Sequence, residues 1–546
     1  MNAGLDSLSV SHPHKTEIRL VAKDLSRVDL FPILESLMPV KFCSGDEIGS
    51  ASGGEILVGE MAGRAERNGA PHVSSLTLPE SGRLAEPGKL TRIKVQFADH
   101  ADVPFPFRGR SLSVKVAATP GVLVLRERDR VLAETEQGPV WSVSRANGAT
   151  HFRSAAALPV IPSSGSLCDV LNGERFLEIL PVLHFLRCVS GDYSYESPAL
   201  RAQFMFDDPN LHWPRYGCVG YRETATRAER ENYHVSFATI PLDAWYVHGR
   251  TAEIFRNHPT RLSLCVHGND HTKRELAQHQ SQSARVSLLR QALRRIEGLE
   301  RKAGVPVSRV MVPPHGACLH EMLEELPRIG FEAACISHGS LRAHNKTRPW
   351  TRSLGYLPAE MIGDCPVLPR WALANSTENT VLLAAFLRQP IILRGHHQDL
   401  KNGIELLDGF ARIVNGLGNV IWSNMTEISQ LNYFSRVDGN TIRLRPLGRK
   451  LTVHLPESVT GLLIEPPVQP KWDTWRITTA DGATTKARSE ERISLPGQGK
   501  RPVTIQTVPP AVGQSEDPGK PLAATAFLRR LLTEGRDRLI GAQGRN

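Results

Sequence analysis

The sequence predicts an α/β protein in which an incomplete (β/α)7-type barrel is flanked by an N-terminal α/β domain and a small C-terminal antiparallel β-sandwich. Three observations predict this. The chain has 546 residues, which is too long for one hydrophobic core. Between residues 196 and 435, short apolar runs alternate with helical patterns, as in parallel βα units. From residue 436 the pattern changes to strand-like alternation with tight turns, which is typical of antiparallel hairpins.

The N-terminal domain is predicted over residues 16–195. Apolar runs such as Glu55–Gly59 and Val122–Leu125 alternate with turn-rich loops. Helical spacing of apolar residues appears over Leu25–Leu37 and Phe176–Leu186. The mixture of the two patterns predicts a separate α/β domain.

The barrel is predicted over residues 196–435. Its clearest helix is Ser283–Ala303, with an apolar stripe at i, i+3/i+4, i+7 spacing and Gly304 and Pro306 as stop signals. Seven segments are predicted as strands: Gln203–Phe206, His234–Thr239, Leu262–Val266, Val310–Val312, Ala333–Ser337, Ile391–Leu393 and Val420–Trp422. Seven strands in this order favour an incomplete barrel over an open nucleotide-binding sheet.

The C-terminal part is predicted as a β-sandwich over residues 436–508, with Asp-Gly turns at Asp438 and Asp481. Residues 509–546 are predicted as a Pro/Gly-rich linker and a terminal helix. That basic helix, Ala523–Leu539, is amphipathic. Its pattern favours packing on another domain, while its arginines leave a peripheral membrane contact open.

Composition restricts the partners and the compartment. The net charge is +10, but Lys and Arg are scattered, which argues against a nucleic-acid partner. Eight cysteines without a CxxC pair favour reduced thiols in the cytoplasm. The N-terminus lacks the pattern of a secretory signal, and the longest apolar run, Val381–Leu387, is far shorter than the roughly 20 residues of a membrane span. A cytoplasmic protein without an integral membrane segment is expected, and the oligomeric state is left open.

Two predicted strands end in residues that can bind a metal. Phe206 is followed by Asp207 and Asp208, and the strand ending at residue 266 is followed by His267 and His271. Because the carboxyl ends of barrel strands carry the chemistry, the two pairs are expected to meet. Two imidazoles and one carboxylate form a facial ligand set with positions left for water. One aspartate is then a metal ligand and the other a general base, whereas Asp-Asp-Pro-Asn alone would indicate only a turn.

These segments resemble the NodB-homology polysaccharide deacetylases of the carbohydrate esterase family 4 type, over roughly residues 200–433. Members of that family carry an Asp-Asp pair, an H-x-x-x-H pair, a Pro-aromatic-Gly segment and a late histidine. The resemblance implies that Asp207 is the base. It implies that Asp208, His267 and His271 hold a divalent metal, with zinc favoured.

The third and fourth motifs depart from the family pattern. The third segment of the family opens with an arginine and carries an aromatic residue, where this chain has Val312 and His315. The resemblance therefore suggests His315 for substrate or oxyanion contact, with Arg394 replacing the missing charge. The late segment offers both His396 and His397 as catalytic residues, and His396 is favoured as the general acid.

The resemblance implies a metal-dependent deacetylase that acts on an amino-sugar-containing saccharide or glycoconjugate during cell-surface polysaccharide biosynthesis. One alternative is a catalytically inactive carbohydrate-binding or scaffold protein on the same barrel, which the departure at Val312 favours. Another is a metal hydrolase of non-sugar amides, because the same ligands would activate water against any suitable carbonyl. Five aromatic residues of the expected cleft are candidates for stacking on sugar rings: Trp213, Tyr216, Trp350, Tyr356 and Trp371.

Overall fold

The protein is described from a computed structural model. It describes residues 15–21, 29–44, 53–59, 73–79, 90–191, 195–272, 274–348, 350–375, 377–466, 474–495, 502–508 and 524–543. The predicted linker up to residue 523 lies outside these ranges, as does the start of the helix predicted from Leu25. The chain forms two compact units, the first made of Met1–Tyr195, Pro349–Leu357 and Thr377–Leu387, and the second of Glu196–Arg348, Pro358–Ser376 and Arg388–Asn546.

The first unit is built on a mixed sheet of nine strands in the order β2-β1-β3-β4-β9-β8-β7-β5-β6. The neighbours from β2 to β9 in that order are parallel and the others antiparallel. The strands are β1 Thr16–Val21, β2 Val40–Ser44, β3 Gly54–Val58, β4 Ser75–Leu78, β5 Thr91–Phe97, β6 Ser111–Val116, β7 Arg130–Thr135, β8 Gly138–Ala146 and β9 Ala149–Ser154. The helices of this unit before residue 196 are α1 Leu30–Leu37 and α2 Leu180–Val189.

Two segments from the range predicted as barrel, 349–357 and 377–387, belong to this first unit. The second contains the helix Glu378–Phe386. The Phe386 ring packs 5.8 Å from that of Phe107. The Asn379 side chain donates a hydrogen bond of 2.8 Å to the backbone oxygen of Ser113. These apolar and polar contacts are made over large sequence separations, so local pattern does not predict them.

The second unit contains a curled, half-barrel sheet in the order β17-β18-β16-β15-β14-β13-β10-β20-β19, with β21 also paired to β10. Its pairs are parallel except β17 with β18. The strands are β10 Leu200–Asp207, β13 Val235–Thr239, β14 Leu262–Val266, β15 Val307–Met311, β16 Ala333–Cys335, β17 Glu360–Ile362, β18 Cys365–Leu368, β19 Trp371–Ala372, β20 Ile391–Gly395 and β21 Val420–Trp422, and a hairpin of β11 Arg215–Tyr216 and β12 Val219–Gly220 follows β10. All seven predicted strands are found; β17, β18 and β19 were not predicted, because short strands carry little periodicity.

Helices connect these strands. The predicted helix Ser283–Ala303 is confirmed as Gln282–Ala303; Ser281 caps it by accepting from the Ala284 N–H, and Gly304 ends it at φ +62°. The helices of the second unit are α3 Tyr221–Glu231, α4 Gly249–Asn257, α5 Gln282–Ala303, α6 His320–Ile329, α7 His338–His344, α8 Glu405–Asn415, α9 Met425–Gln430 and α10 Ala524–Gln543.

The second unit ends in two four-stranded sheets, β22-β23-β25-β28 and β24-β29-β26-β27. Buried residues of both sheets share one hydrophobic cluster that includes Trp475. The pairing is antiparallel except between β23 and β25, which are parallel because β24, between them in the chain, lies in the other sheet. The strands are β22 Tyr433–Asp438, β23 Thr441–Pro446, β24 Lys450–His454, β25 Gly461–Ile464, β26 Thr474–Thr478, β27 Thr484–Arg488, β28 Arg492–Ser494 and β29 Pro502–Thr507.

Two further findings concern the expectations from composition. None of the described helices combines the length and the hydropathy that crossing a membrane requires. No disulfide joins any of the eight cysteines, all of which lie in described ranges.

Candidate metal centre

The predicted ligands lie at the carboxyl ends of neighbouring parallel strands. Strand β13 lies between β10 and β14 and pairs with both. The Asp208 N–H donates to the Ala238 oxygen at 3.1 Å, and the His267 N–H donates to the Thr239 oxygen at 2.9 Å. The ends of β10 and β14 are therefore fixed to the same strand, and Asp208 and His267 meet at one edge of the sheet.

Asp208, His267 and His271 form a compact set whose ligand atoms all lie within 4.8 Å of one another. Asp208 Oδ1 is 3.4 Å from His267 Nε2 and 3.0 Å from His271 Nε2. Ligands about 2.1 Å from one cation, at angles between octahedral and tetrahedral, are about 3.0–3.4 Å apart. Asp208 Oδ1 is buried, and no donor in the described part of the chain reaches it in hydrogen-bonding geometry. The residues present fit a divalent cation.

The tautomer of His267 also suits a metal. Its Nδ1 lies 2.9 Å from the backbone oxygen of Val312, which can only accept, so Nδ1 carries a proton and Nε2 faces Asp208. Burial lowers the pKa of His267, but Asp208 raises it, and the net shift is upward. Burial raises the pKa of Asp208, but His267 and His271 lower it, and the net pKa lies well below its ordinary value. Because a proton on His267 competes with a cation, metal affinity falls as the pH falls.

The backbone of these ligands is unusual. Asp208 has φ +85° and His271 has φ +52°, values that L-residues seldom adopt and that concentrate at functional sites. Gly268, between the histidines, has φ +64°, and a Cβ built there would lie 2.5 Å from Pro314 Cγ. The turn that brings His271 back to His267 therefore needs glycine at position 268.

The loop from 268 to 272 is held by Glu275, which was not predicted to matter. This carboxylate is 3% exposed and accepts from the N–H groups of Asn269 at 2.6 Å, Asp270 at 3.0 Å and His271 at 3.2 Å. The Thr272 hydroxyl donates to it at 3.3 Å. One charged side chain thus satisfies four donors and fixes the position of His271.

Asp207 differs from the three candidate ligands because its interaction partner is Arg370. Both are almost fully buried, and Arg370 Nη1 lies 2.9 and 3.1 Å from the two carboxylate oxygens. Burial raises the pKa of Asp207, whereas Arg370 and then His267 lower it, and the net pKa lies below its ordinary value. Asp207 is therefore an ionised carboxylate beside the ligand set. Arg370 was not predicted, although it follows the apolar run Cys365–Leu368 as the other site residues follow theirs.

Arg394 is half-buried on β20, and its pKa is lowered by burial and by repulsion from Arg370. Asp207 and Asp399 raise that pKa, so both carboxylates lie within electrostatic range. Arg370, by contrast, is in direct contact with Asp207.

The two late histidines have different surroundings. His396 is half-buried, and it directly follows β20, whose Gly395 pairs with Phe206 of β10. His397 is fully buried; its ring lies 5.5 Å from that of Tyr216, and its Nε2 is 3.6 Å from Asp537 Oδ1. His396 therefore lies at the same end of the sheet as Asp207, whereas His397 faces the terminal helix.

His315 lies at the rim of the cluster. Its side chain is exposed, its φ is +57°, and its ring is 5.0 Å from that of His271. Burial lowers the pKa of His315, and the nearby His271 lowers it further. A neutral imidazole at this rim can accept or donate a hydrogen bond to a substrate.

The terminal helix α10 touches the backbone of two ligands, which was not predicted. Arg530 lies 2.9 and 3.1 Å from the carboxylate oxygens of Asp243, and it donates to the backbone oxygen of Asp208 at 3.0 Å. Arg529 donates to the backbone oxygen of His271. The helix thus covers one side of the cluster.

Two acids of α10 are also buried against the barrel. Glu534 Oε2 lies 3.0 Å from His212 Nδ1. Asp537 accepts from the Tyr216 hydroxyl at 2.9 Å and faces His397. Three charged side chains of α10 therefore face the barrel with partners there: Arg530, Glu534 and Asp537.

The aromatic residues suggested for sugar stacking are divided between the two units. Trp213 is half exposed, Trp371 is partly exposed, and Tyr216 is buried. Trp350 and Tyr356 belong to the first unit.

No protein-family model and no curated protein matches the chain. Among solved structures, it is similar to Agd3, described as a novel carbohydrate deacetylase, at 10% identity and a TM-score of 0.46, over 90% of this chain and 98% of that one. A family 4 carbohydrate esterase from Streptomyces lividans is similar at 13% identity and a TM-score of 0.26, over 42% and 94% of the chains. The Xyl-CE4 domain of a xylanase from the hindgut metagenome of Trinervitermes trinervoides is similar at 13% identity and a TM-score of 0.25, over 42% and 89%. These solved structures include the kind of deacetylase that the sequence motifs resemble.

Proposed function

We propose that this protein is a metal-dependent deacetylase that hydrolyses the N-acetyl group of an amino-sugar-containing saccharide or glycoconjugate. The proposal rests on one observation: two carboxylates on adjacent residues have different interaction partners. Asp208 faces two imidazole nitrogens, and Asp207 is held ionised by Arg370. A ligand set with a separate base beside it is what hydrolysis of an amide requires.

Asp208, His267 and His271 would hold the cation, for which zinc suits the nitrogen and oxygen donors. A bound divalent cation supplies a Lewis acid that polarises the acetyl carbonyl and makes water more acidic. Asp207 takes a proton from the attacking water, whose oxygen forms a bond to the acetyl carbon. Arg370 keeps that carboxylate charged and oriented until it accepts the proton.

The C–N bond then breaks, and the leaving amine needs a proton. His396 is proposed as the donor because it follows β20 at the position where the neighbouring strand β10 ends in Asp207. His315, exposed at the rim beside His271, is proposed to contact the substrate. Acetate and a free amino sugar are the products, so the substrate gains a positive charge at neutral pH. Such a change is consistent with a role in cell-surface polysaccharide biosynthesis.

The test is acetate release from N-acetylated amino-sugar oligosaccharides by the full chain supplied with zinc. Asp208→Asn is expected to lose stoichiometric metal and activity together, because it removes an anionic ligand. Asp207→Asn is expected to keep the metal and lose acetate release by about 100-fold or more, as for removal of a general base. If both variants bind zinc as the wild type does, the assignment of the two aspartates is wrong.

Acetylated peptides are the matched substrates for the alternative of a non-sugar amidase. Release of acetate from peptides alone would replace the proposed substrate class. Tight zinc binding without release from either class would favour an inactive binding protein on the same fold.

A further inference from the structure

The terminal helix α10 is packed with its polar side inward. The side chains buried against the barrel are Ala526, Arg530, Glu534 and Asp537, at spacings of four, four and three residues, which is one face of a helix. Its leucines lie away from that face: Leu528 is 59% exposed, Leu531 41%, Leu532 68% and Leu539 67%. The helix buries three charged side chains and leaves its four leucines largely uncovered, whereas a helix that packs on a core buries such leucines.

The partners of the buried charges fix this orientation. Arg530 is held by both carboxylate oxygens of Asp243, which is itself 3% exposed. Glu534 contacts the buried His212. A rotation that buried the leucines would leave Asp243 without its cation in a buried position, which is strongly unfavourable. The exposed leucines are therefore a fixed feature of the surface.

The outer side of the helix carries only positive charge. The two acids of α10, Glu534 and Asp537, are both buried, whereas Arg536 and Arg538 are exposed on the outer side. Arg536 and Arg538 form ion pairs with these acids from the outer side, so their guanidinium groups remain at the surface. Leucines flanked by arginines complement a surface that is both apolar and anionic.

Aromatic residues of the barrel loops extend this surface. Trp213 and Trp245 are each 50% exposed and Tyr246 is 41% exposed. With Leu531 and Arg538 they line a hollow of about 370 Å³, and the Arg538 guanidinium lies 4.9 Å from the centre of the Trp213 ring. Trp and Tyr are enriched where proteins meet the membrane–water interface, because each has an apolar ring and a polar tip.

We propose that the outer face of α10, with these three aromatic side chains, is a peripheral docking surface for an anionic phospholipid bilayer. The leucines would enter the region between headgroups and acyl chains, and the arginines would contact lipid phosphates. A saccharide would contact the aromatic rings but would leave the leucines exposed, whereas a lipid surface would contact both. The lipid surface therefore explains more of the exposed side chains. The inference does not depend on catalytic turnover. It does place the candidate metal centre, which α10 contacts, next to the bilayer.

The test is flotation of the full chain with vesicles of phosphatidylcholine alone or mixed with phosphatidylglycerol. The test variant is Leu528→Ser/Leu532→Ser/Leu539→Ser, which alters only exposed side chains. The matched control is Leu406→Ser, an exposed leucine on α8. The wild type and the control are expected to float with the anionic vesicles and to dissociate at high salt. The triple variant is expected to partition about 100-fold more weakly, because each leucine loses about 1 kcal/mol of interfacial burial.

Two results would overturn the proposal. One is a wild type that does not float with phosphatidylglycerol vesicles at low salt. The other is a triple variant that binds them as tightly as Leu406→Ser does. Light scattering after size-exclusion chromatography tests the alternative that a second copy of the chain binds the leucine face. A wild type that is dimeric and does not bind vesicles, together with a triple variant that is monomeric, would support that alternative and overturn the proposal.

Discussion

Glu275 offers the sharpest test of how the chain builds its metal centre. Replacement by glutamine preserves the size of the side chain but converts one acceptor oxygen into an NH2 donor. In the wild type, each carboxylate oxygen of Glu275 accepts from two donors. Asn269 and His271 donate to Oε1, and Asp270 and Thr272 donate to Oε2. Glu275→Gln leaves at least one backbone N–H facing an NH2 group in a buried site and removes the charge from the remaining hydrogen bonds, which together cost about 3 kcal/mol or more. The loop that positions His271 is then held less firmly.

The expected consequence is weaker metal binding without loss of any ligand. Removing groups that orient metal ligands lowers affinity by about 10–100-fold, equivalent to about 1.4–2.8 kcal/mol. The assay is zinc titration against a chromophoric chelator of known affinity, on the full chain. Glu297→Gln, on the exposed side of α5, is the control and is expected to keep the wild-type affinity. A Glu275→Gln protein that binds zinc within about twofold of this control would refute the assigned role.

Two further predictions use the buried charges and histidines. Arg370→Met is expected to lose about 3–5 kcal/mol of unfolding free energy and most acetate release while keeping zinc, because it leaves Asp207 buried without its cation. Arg394→Met, which removes no hydrogen bond to Asp207, should lose less unfolding free energy, as measured by urea unfolding. Equal losses in the two variants would contradict the pairing of Asp207 with Arg370. Burial lowers the pKa of His234 to about 4. As the pH is lowered from 7 to 5, the histidine of the unfolded chain, with a pKa of about 6.5, binds a proton that the folded protein does not bind. The free energy of unfolding therefore decreases by about 2 kcal/mol over this range. His234→Gln should reduce this loss in urea unfolding at the two pH values, and an unchanged loss would contradict it.

The meeting of the candidate metal ligands could be predicted because they follow strong local patterns. Parallel strands carry continuous apolar runs, and Asp208 and His267 come directly after two of them. The position of a residue just after such a strand specifies the edge of the sheet at which it emerges. Strand bounds and the helix Gln282–Ala303 were predictable for the same reason, since each rests on local periodicity and stop signals.

The supporting residues could not be predicted from local pattern. Arg370 meets Asp207 across 163 positions of sequence, from a short strand with little periodicity. Glu275 acts by accepting from backbone N–H groups, which leaves no side-chain motif. For α10 the amphipathic pattern was recognised, but it favours burial of the apolar stripe. Paired charges on the barrel loops instead determine which side of that helix faces inward.

Val312 was the feature that favoured an inactive barrel, because the resembling family has an arginine in the corresponding segment. Val312 lies directly after β15 and is fully buried. Its backbone supports the site by accepting from His267 Nδ1. Asp207 has a positive partner from the end of β18, two strands further along the sheet order, where Arg370 Nη1 lies 3.1 Å from its carboxylate. An ionised Asp207 therefore does not require arginine at position 312. Activity in Arg370→Met/Val312→Arg, compared with Arg370→Met alone, would measure how far the two positions can substitute for each other.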